Sequence, residues 1–217
     1  MNSELLARAE GGDIEAMDQV ALMYAKGDNL NQNDDEAKRW FWEAINRGSI
    51  NSMYNLGIRL AEGSIGEHDP ATAFSLFQRV ANADLEQVCR LYGSEFVELH
   101  PVYEDFVSSR IPYLVHTQSS AMHALAVMMS SGNGVPADPL MAVRWLLKSF
   151  EKGLPDAAYA LGCTYWHGIG VEQDKNLAIE WFKKASGMGH AASHKIIEHF
   201  QNTNQNDSPQ ANNKKSI

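Results

Sequence analysis

Cysteine is scarce in this sequence: Cys89 and Cys163 are the only two in 217 residues, at a spacing that matches neither a metal knuckle nor a redox pair. A disulfide framework is excluded, and both thiols are read as reduced and buried. Basic charge is also short. Eighteen Lys and Arg stand against 27 Asp and Glu, a net charge of −9, whereas the phosphate backbone is held by basic side chains that displace its counterions. Nucleic acid is therefore not an expected partner. Residues Met1 to Glu10 lack both the basic flank and the unbroken apolar run, roughly 7 to 15 residues long, of a secretory signal. Cytoplasmic residence with no membrane partner is the expectation. What the chain does have is a globular composition, 44% apolar and 21% charged. Its length suits one domain or an elongated array.

A period runs through the sequence. The stretch Ala157 to Gly168 places Ala157, Leu161-Gly162, Tyr165 and Gly168 at relative positions 1, 5 and 6, 9 and 12. The same positions hold Ala121, Leu125-Ala126, Met129 and Gly132 a further 36 residues back. They recur as Ala16, Val20-Ala21, Tyr24 and Gly27, and as Ser52, Leu56-Gly57, Leu60 and Gly63. A second half repeats with them: Ala37, Trp40 and Gly48; Ala73, Leu76 and Asp84; Ala142, Trp145 and Gly153; Ala178, Trp181 and Gly189.

One unit reads as two antiparallel helices. Positions 1, 5 and 9 make one apolar stripe on a first helix, A, and the small residue at position 6 lets a second helix, B, approach closely. The glycines at position 12 stand where a helix ends in a left-handed residue. Asp69-Pro70 and Asp138-Pro139 signal the start of helix B, a capping carboxylate before a proline at the first helical position, with Asp34 and Asp174 in comparable places. Helix B then carries Trp40, Phe41 and Ala44, or Trp181, Phe182 and Ala185, a face too wide for one hairpin to bury. Neighbouring units must stack to cover it.

The combination Leu161-Gly162, Tyr165, Gly168-Ile169-Gly170-Val171, Ala178, Trp181-Phe182, Lys184-Ala185 and Gly189 resembles the Sel-one-like repeat, a relative of the tetratricopeptide repeat with a period of 36. The resemblance is strongest over 157–189, good over 121–153 and 16–48, and weaker over 52–84. It implies an all-α, right-handed α-solenoid whose A helices line a concave face. The expected organisation is a single solenoid over 1–201, with repeats near 14–48, 50–84, 119–153 and 155–189 and a degenerate one at 86–118. Glu4 to Glu10 and a capping helix over 190–201 close its ends, and the polar segment 202–217 is expected to be disordered.

The degenerate unit keeps its phase at Val88, Gly93 and Phe96, which makes Glu86 to Leu99 a worn helix A. Its helix B, within Val102 to His116, has neither Trp nor Ala as a marker, and Pro112 should kink or end it. Residues 84–118 also hold six acids against two bases, together with Tyr92, Phe96, Tyr103, Phe106 and Tyr113. Glu95, Glu98, Tyr103, Glu104, Asp105 and Phe106 form an acidic and aromatic segment that suits a basic partner. A drifted repeat with its aromatics in the core is the plainer reading.

Catalytic patterns are weak. His190 and His194 could share one helix face, but Ala191-Ala192-Ser193 supplies no Glu and only Glu198 stands near as a further ligand, so no metal is expected. Glu104 and Asp105 are adjacent and do not face one another on a helix. Gly168-Ile169-Gly170 follows a helix and has no Lys, so it reads as a repeat turn rather than a phosphate loop. The chain is read as a non-enzyme without cofactor.

By analogy with tetratricopeptide repeats, the resemblance implies that positions 3, 7, 10 and 11 of helix A face a binding groove. These are Asp18, Leu22 and Lys26; Tyr54, Ile58 and Glu62; Arg90 and Glu98; His123 and Val127; and Tyr159, Trp166 and His167. Trp166 is the anchor candidate, and its packing on the terminal helix near Lys195 stays open as an alternative. Two functions follow from the resemblance: a scaffold that binds a protein or peptide in its groove, or a bacterial immunity protein that blocks a basic toxin with its acidic surface. A monomer or weak dimer is expected in either case.

Overall fold

A computed structural model describes residues 3–28, 31–92 and 100–206, with side chains described outside 100–107 and 203–206. Among the described residues the chain is all helical. The order is α1 (Ser3–Glu10), α2 (Ile14–Lys26), α3 (Asp34–Asn46), α4 (Ile50–Glu62), α5 (Pro70–Ala81), α6 (Leu85–Tyr92), α7 (His100–Ser131), α8 (Pro139–Glu151), α9 (Pro155–His167), α10 (Lys175–Gly187) and α11 (Ala191–Asn206). None of these helices is long and apolar enough to cross a membrane.

The same local chemistry closes four hairpins, α2 with α3, α4 with α5, α7 with α8, and α9 with α10. Gly27, Gly63, Gly132 and Gly168 end the first helix of each pair at φ values of 77°, 69°, 75° and 72°, a backbone state that other residues enter only with strain. A second bond ties each loop down, from the N–H of Asn33, Asp69, Asp138 and Asp174 to the carbonyls of Tyr24, Leu60, Met129 and Tyr165. The side chains of Asp69, Asp138 and Asp174 then cap α5, α8 and α10, accepting from the N–H groups of Thr72, Met141 and Leu177. In the first hairpin the cap is Asn33 rather than Asp34: its Oδ1 accepts from the N–H groups of Asp35 and Glu36, which places Asp34 inside α3.

The chain divides into two compact units, Met1–Leu154 and Pro155–Ile217. In the first, a continuous core joins Ala16, Val20, Phe41, Leu56, Phe77, Val80, Cys89, Ala121 and Leu125, all nearly or fully inaccessible. It is a solenoid of stacked hairpins, with α1 laid on α2. The second unit holds one hairpin and α11, with Ala178, Phe182 and Ile197 at its centre. The bare Cα of Gly162 admits the Phe182 ring: a Cβ there would stand 2.5 Å from ring carbons. Gly57 does the same for Phe77. The indoles of Trp145 and Trp181 lie beneath the ammonium groups of Lys148 and Lys184.

The degenerate segment departs from expectation. Asp84 caps α6 through the N–H groups of Glu86 and Gln87, and Val88 and Cys89 are buried as the phase requires. Among the described residues no separate helix B follows. Helix α7 starts at His100 and continues through Pro112 into the first helix of the next hairpin. Pro112 thus removes one backbone hydrogen bond without ending the helix. Side chains beyond it fasten α7 to earlier helices: Thr117 donates to Asn51 Oδ1, and the Gln118 amide donates to the carbonyls of Val80, Ala81 and Ala83 at the C-terminal end of α5. Helix α11 also runs to Asn206, so 202–206 is helical where disorder was expected, and residues 207–217 lie outside the described residues.

Candidate functional site

In each unit a cleft opens on first helices of the hairpins. In the second unit the cleft is about 450 Å³ and lies between α9 and α11 with Phe182 of α10 at its base. Tyr159, Cys163, Trp166 and His167 come from one side of α9, four positions that recur every three or four residues and so share a helix face. Lys195, Ile196, His199 and Phe200 come from α11. Trp166 stands 5.6 Å from the Phe200 ring, with the Lys175 ammonium 5.3 Å from its own centroid. Tyr159 lies 4.5 Å from the His190 ring, stacked, and 5.7 Å from Phe182. The hydrogen bond with Cys163 raises the Tyr159 phenol above its ordinary value. Cys163 is half-buried, unlike Cys89, whose thiol is pushed up by burial. The placement of Trp166 against α11 agrees with the packing alternative, yet its ring still forms part of an open wall.

The cleft of the first unit is about 210 Å³ and polar. Glu15, Asp18, Gln19 and Leu22 of α2 face Asn51 and Asn55 of α4 and Arg110 and Tyr113 of α7. Arg110 is ion-paired to Glu15. Asp18 is only 8% exposed. At the wall of the cleft its carboxylate turns inward and accepts from the hydroxyls of Ser49, at 2.7 Å, and of Ser52 in the first turn of α4. Tyr92 of α6 donates in turn to Ser49 Oγ at 2.9 Å. Burial pushes the Asp18 carboxyl up to about 6, against the lowering pull of Ser52, Ser49 and Asn51. Burial also raises Tyr92, which keeps its proton and remains the donor.

The remaining expected groove residues differ in burial. Tyr54 and Ile58 are half-buried against the core, the Tyr54 ring 5.9 Å from Phe77. Glu62, Lys26 and Arg90 are exposed, His123 is half-buried, and Val127 is 53% exposed. Glu95 and Glu98 lie outside the described residues; Tyr103, Glu104, Asp105 and Phe106 belong to α7, with side chains outside them too. His190 caps α11, its Nδ1 accepting the Ser193 N–H, while His194 meets Ser186 and Glu198. The two imidazoles are therefore employed by the helix end and the surface. Among the described residues no group of three or more His, Cys, Asp or Glu is placed to hold a metal ion. Periodicity missed the cleft contributions of Gln19, Asn51 and Asn55, whose only signal is a polar face beside the apolar stripe, and those of His199 and Phe200 on α11.

Comparison with known proteins gives the repeat a name. A family model described as the Sel1 repeat matches residues 14–49, 50–85, 119–154 and 155–190, more than half of the chain. Over 46 residues the chain is 39% identical to the chitin synthase regulator SKT5 of Saccharomyces cerevisiae, a stretch amounting to 21% of this chain and 7% of that protein's length. Among solved structures, a sel1 repeat protein from Klebsiella pneumoniae subsp. pneumoniae is 18% identical with a TM-score of 0.51, covering 91% of this chain and 82% of that one. It shares the fold. A Sel1 repeat protein from Oxalobacter formigenes is 24% identical with a TM-score of 0.37, over 89% of this chain and 57% of its own. A protective antigen of uropathogenic Escherichia coli strains, displaying an SLR fold, is 22% identical with a TM-score of 0.39, over 90% of this chain and 42% of its own. The chain thus spans less than half the length of that antigen.

Proposed function

The chain belongs to the Sel1 repeat family, whose members generally mediate protein–protein interactions, and from that premise we propose that it is a non-enzymatic scaffold that binds a protein or peptide on the faces of its first helices. The observation that carries this reading is the pair of clefts on those faces, one apolar and one polar, each built from two or more elements. A recognition surface of this kind combines an apolar base with a few convergent polar groups. Tyr159, Trp166 and His167 are its contact residues in the second unit, and Leu22 and Gln19 in the first. Tyr54, Ile58, Glu62, Arg90 and His123 extend the same faces. The partner is a protein, with cytoplasmic residence and a monomer or weak dimer as the working state.

Affinity capture from the native host, at low and moderate salt, tests the proposal with Trp166→Ala beside the double charge reversal Glu98→Lys/Glu104→Lys. A stoichiometric partner lost with Trp166→Ala supports the scaffold, and no stoichiometric partner at either salt overturns it. The acidic composition of 84–118 favours a second reading, immunity against a basic toxin. A single basic partner, lost with the charge reversals and weakened steeply by salt, would replace the first reading with this one.

A further inference from the structure

The cleft of the second unit has a chemical character opposite to that of the whole chain. Its base is aromatic and aliphatic, from Tyr159, Trp166, Phe182 and Ile196, while none of its lining residues is a carboxylate. Its polar lining holds one cation, the exposed Lys195, with an imidazole on each wall, His167 of α9 and His199 of α11. Lys195 takes part in no ion pair among the described residues, and Glu198, the nearest acid in sequence on α11, meets His194 instead at 3.3 Å. The cleft lining thus carries no acid of its own, although the chain as a whole has a net charge of −9.

Resting on the scaffold reading, we infer that this cleft takes a linear segment of a partner protein that presents an aromatic or long aliphatic side chain flanked by carboxylates. A volume of about 450 Å³ admits one large side chain with part of its neighbours. The anchor displaces water from the partly exposed rings of Trp166 and Phe200, which supplies most of the affinity, because aromatic side chains carry the largest burial per residue. Carboxylates on either side meet the Lys195 ammonium and set the direction of the chain. A basic segment of the same apolar content would face Lys195 with no acid to receive it, so the cleft discriminates by charge as well as by shape.

Selection of a displayed library of random 12-residue peptides on the full chain reads both features at once. Enriched sequences should carry Phe, Trp, Leu or Met with adjacent Asp or Glu. The leading peptide, labelled for fluorescence anisotropy, should bind about tenfold or more weakly to Lys195→Glu, an exposed position where the fold is indifferent to the change. It should lose measurable binding to Trp166→Ala and bind Gln78→Ala, on the exposed face of α5 and outside both clefts, unchanged. Enriched basic peptides that still depend on Trp166 would overturn the charge assignment and leave the scaffold standing. Peptides indifferent to both Lys195→Glu and Trp166→Ala would overturn this cleft as the docking site with the same consequence. Failure to enrich any peptide would count against this inference and the scaffold together.

Discussion

Asp18 is a carboxyl group whose protonation the surrounding helices control. Its folded value of about 6 stands above the ordinary 3.8, so its contribution favours the folded chain fully below pH 3.8 and is lost as pH rises to about 6. Above that window the buried charge costs on the order of 3 kcal/mol relative to the neutral form. Asp18→Asn keeps the neutral shape. It should stabilise the protein at pH 7.5 by up to about 3 kcal/mol and by almost nothing at pH 4, as urea denaturation at the two values would show. A loss of stability at pH 7.5 would mean that the hydroxyls of Ser49 and Ser52 outweigh burial. At Gly162 the constraint is steric. Gly162→Ala drives a methyl group into the Phe182 ring and should destabilise by about 1 to 3 kcal/mol. Gly187→Ala, with nothing within 4 Å of the added carbon, should be neutral or stabilising by up to about 1 kcal/mol in the same denaturation experiment.

Among the elements, the hairpins are legible in the sequence because each of their signals answers a local physical demand. Gly27, Gly63, Gly132 and Gly168 provide left-handed exits, and Asp69-Pro70 and Asp138-Pro139 provide capped entries. Helix α7 is not legible in this way. Pro112 argues locally for a break, yet packing of α7 on α5, α6 and α8 holds the helix through it. The absence of glycine from Ser94 to Ser131 is the one sequence feature that favours a continuous helix. Pro112→Ala restores a backbone donor and removes the clash of the ring with the preceding turn, and should raise stability by as much as about 3 kcal/mol. Gln118→Ala should act in the other direction by about 1 to 2 kcal/mol, since three carbonyls at and just past the C-terminal end of α5 lose their donor. Thermal unfolding followed by circular dichroism distinguishes the two signs.

At the scale of the whole molecule, the family is carried by the period, whereas the candidate surface is only partly so. Tyr159, Trp166 and His167 line a cleft because α11 lies opposite α9. Position 3 has a different fate in each hairpin: Asp18 is enclosed by Ser49 and Ser52, Tyr54 meets Phe77, and Tyr159 meets His190. Burial at that position is set by residues far along the chain, such as Tyr92 for Asp18, and repeat phase alone does not encode it. The central claim is that the first helices of the hairpins bind the partner. Hydrogen exchange of the full chain, with and without the partner obtained by capture, measures this directly. The account predicts slowed exchange in α9 and α11, with the first helices α2 and α4 the next to respond. Protection confined to the second helices α3, α5, α8 and α10, with α9 and α11 unchanged, would contradict it.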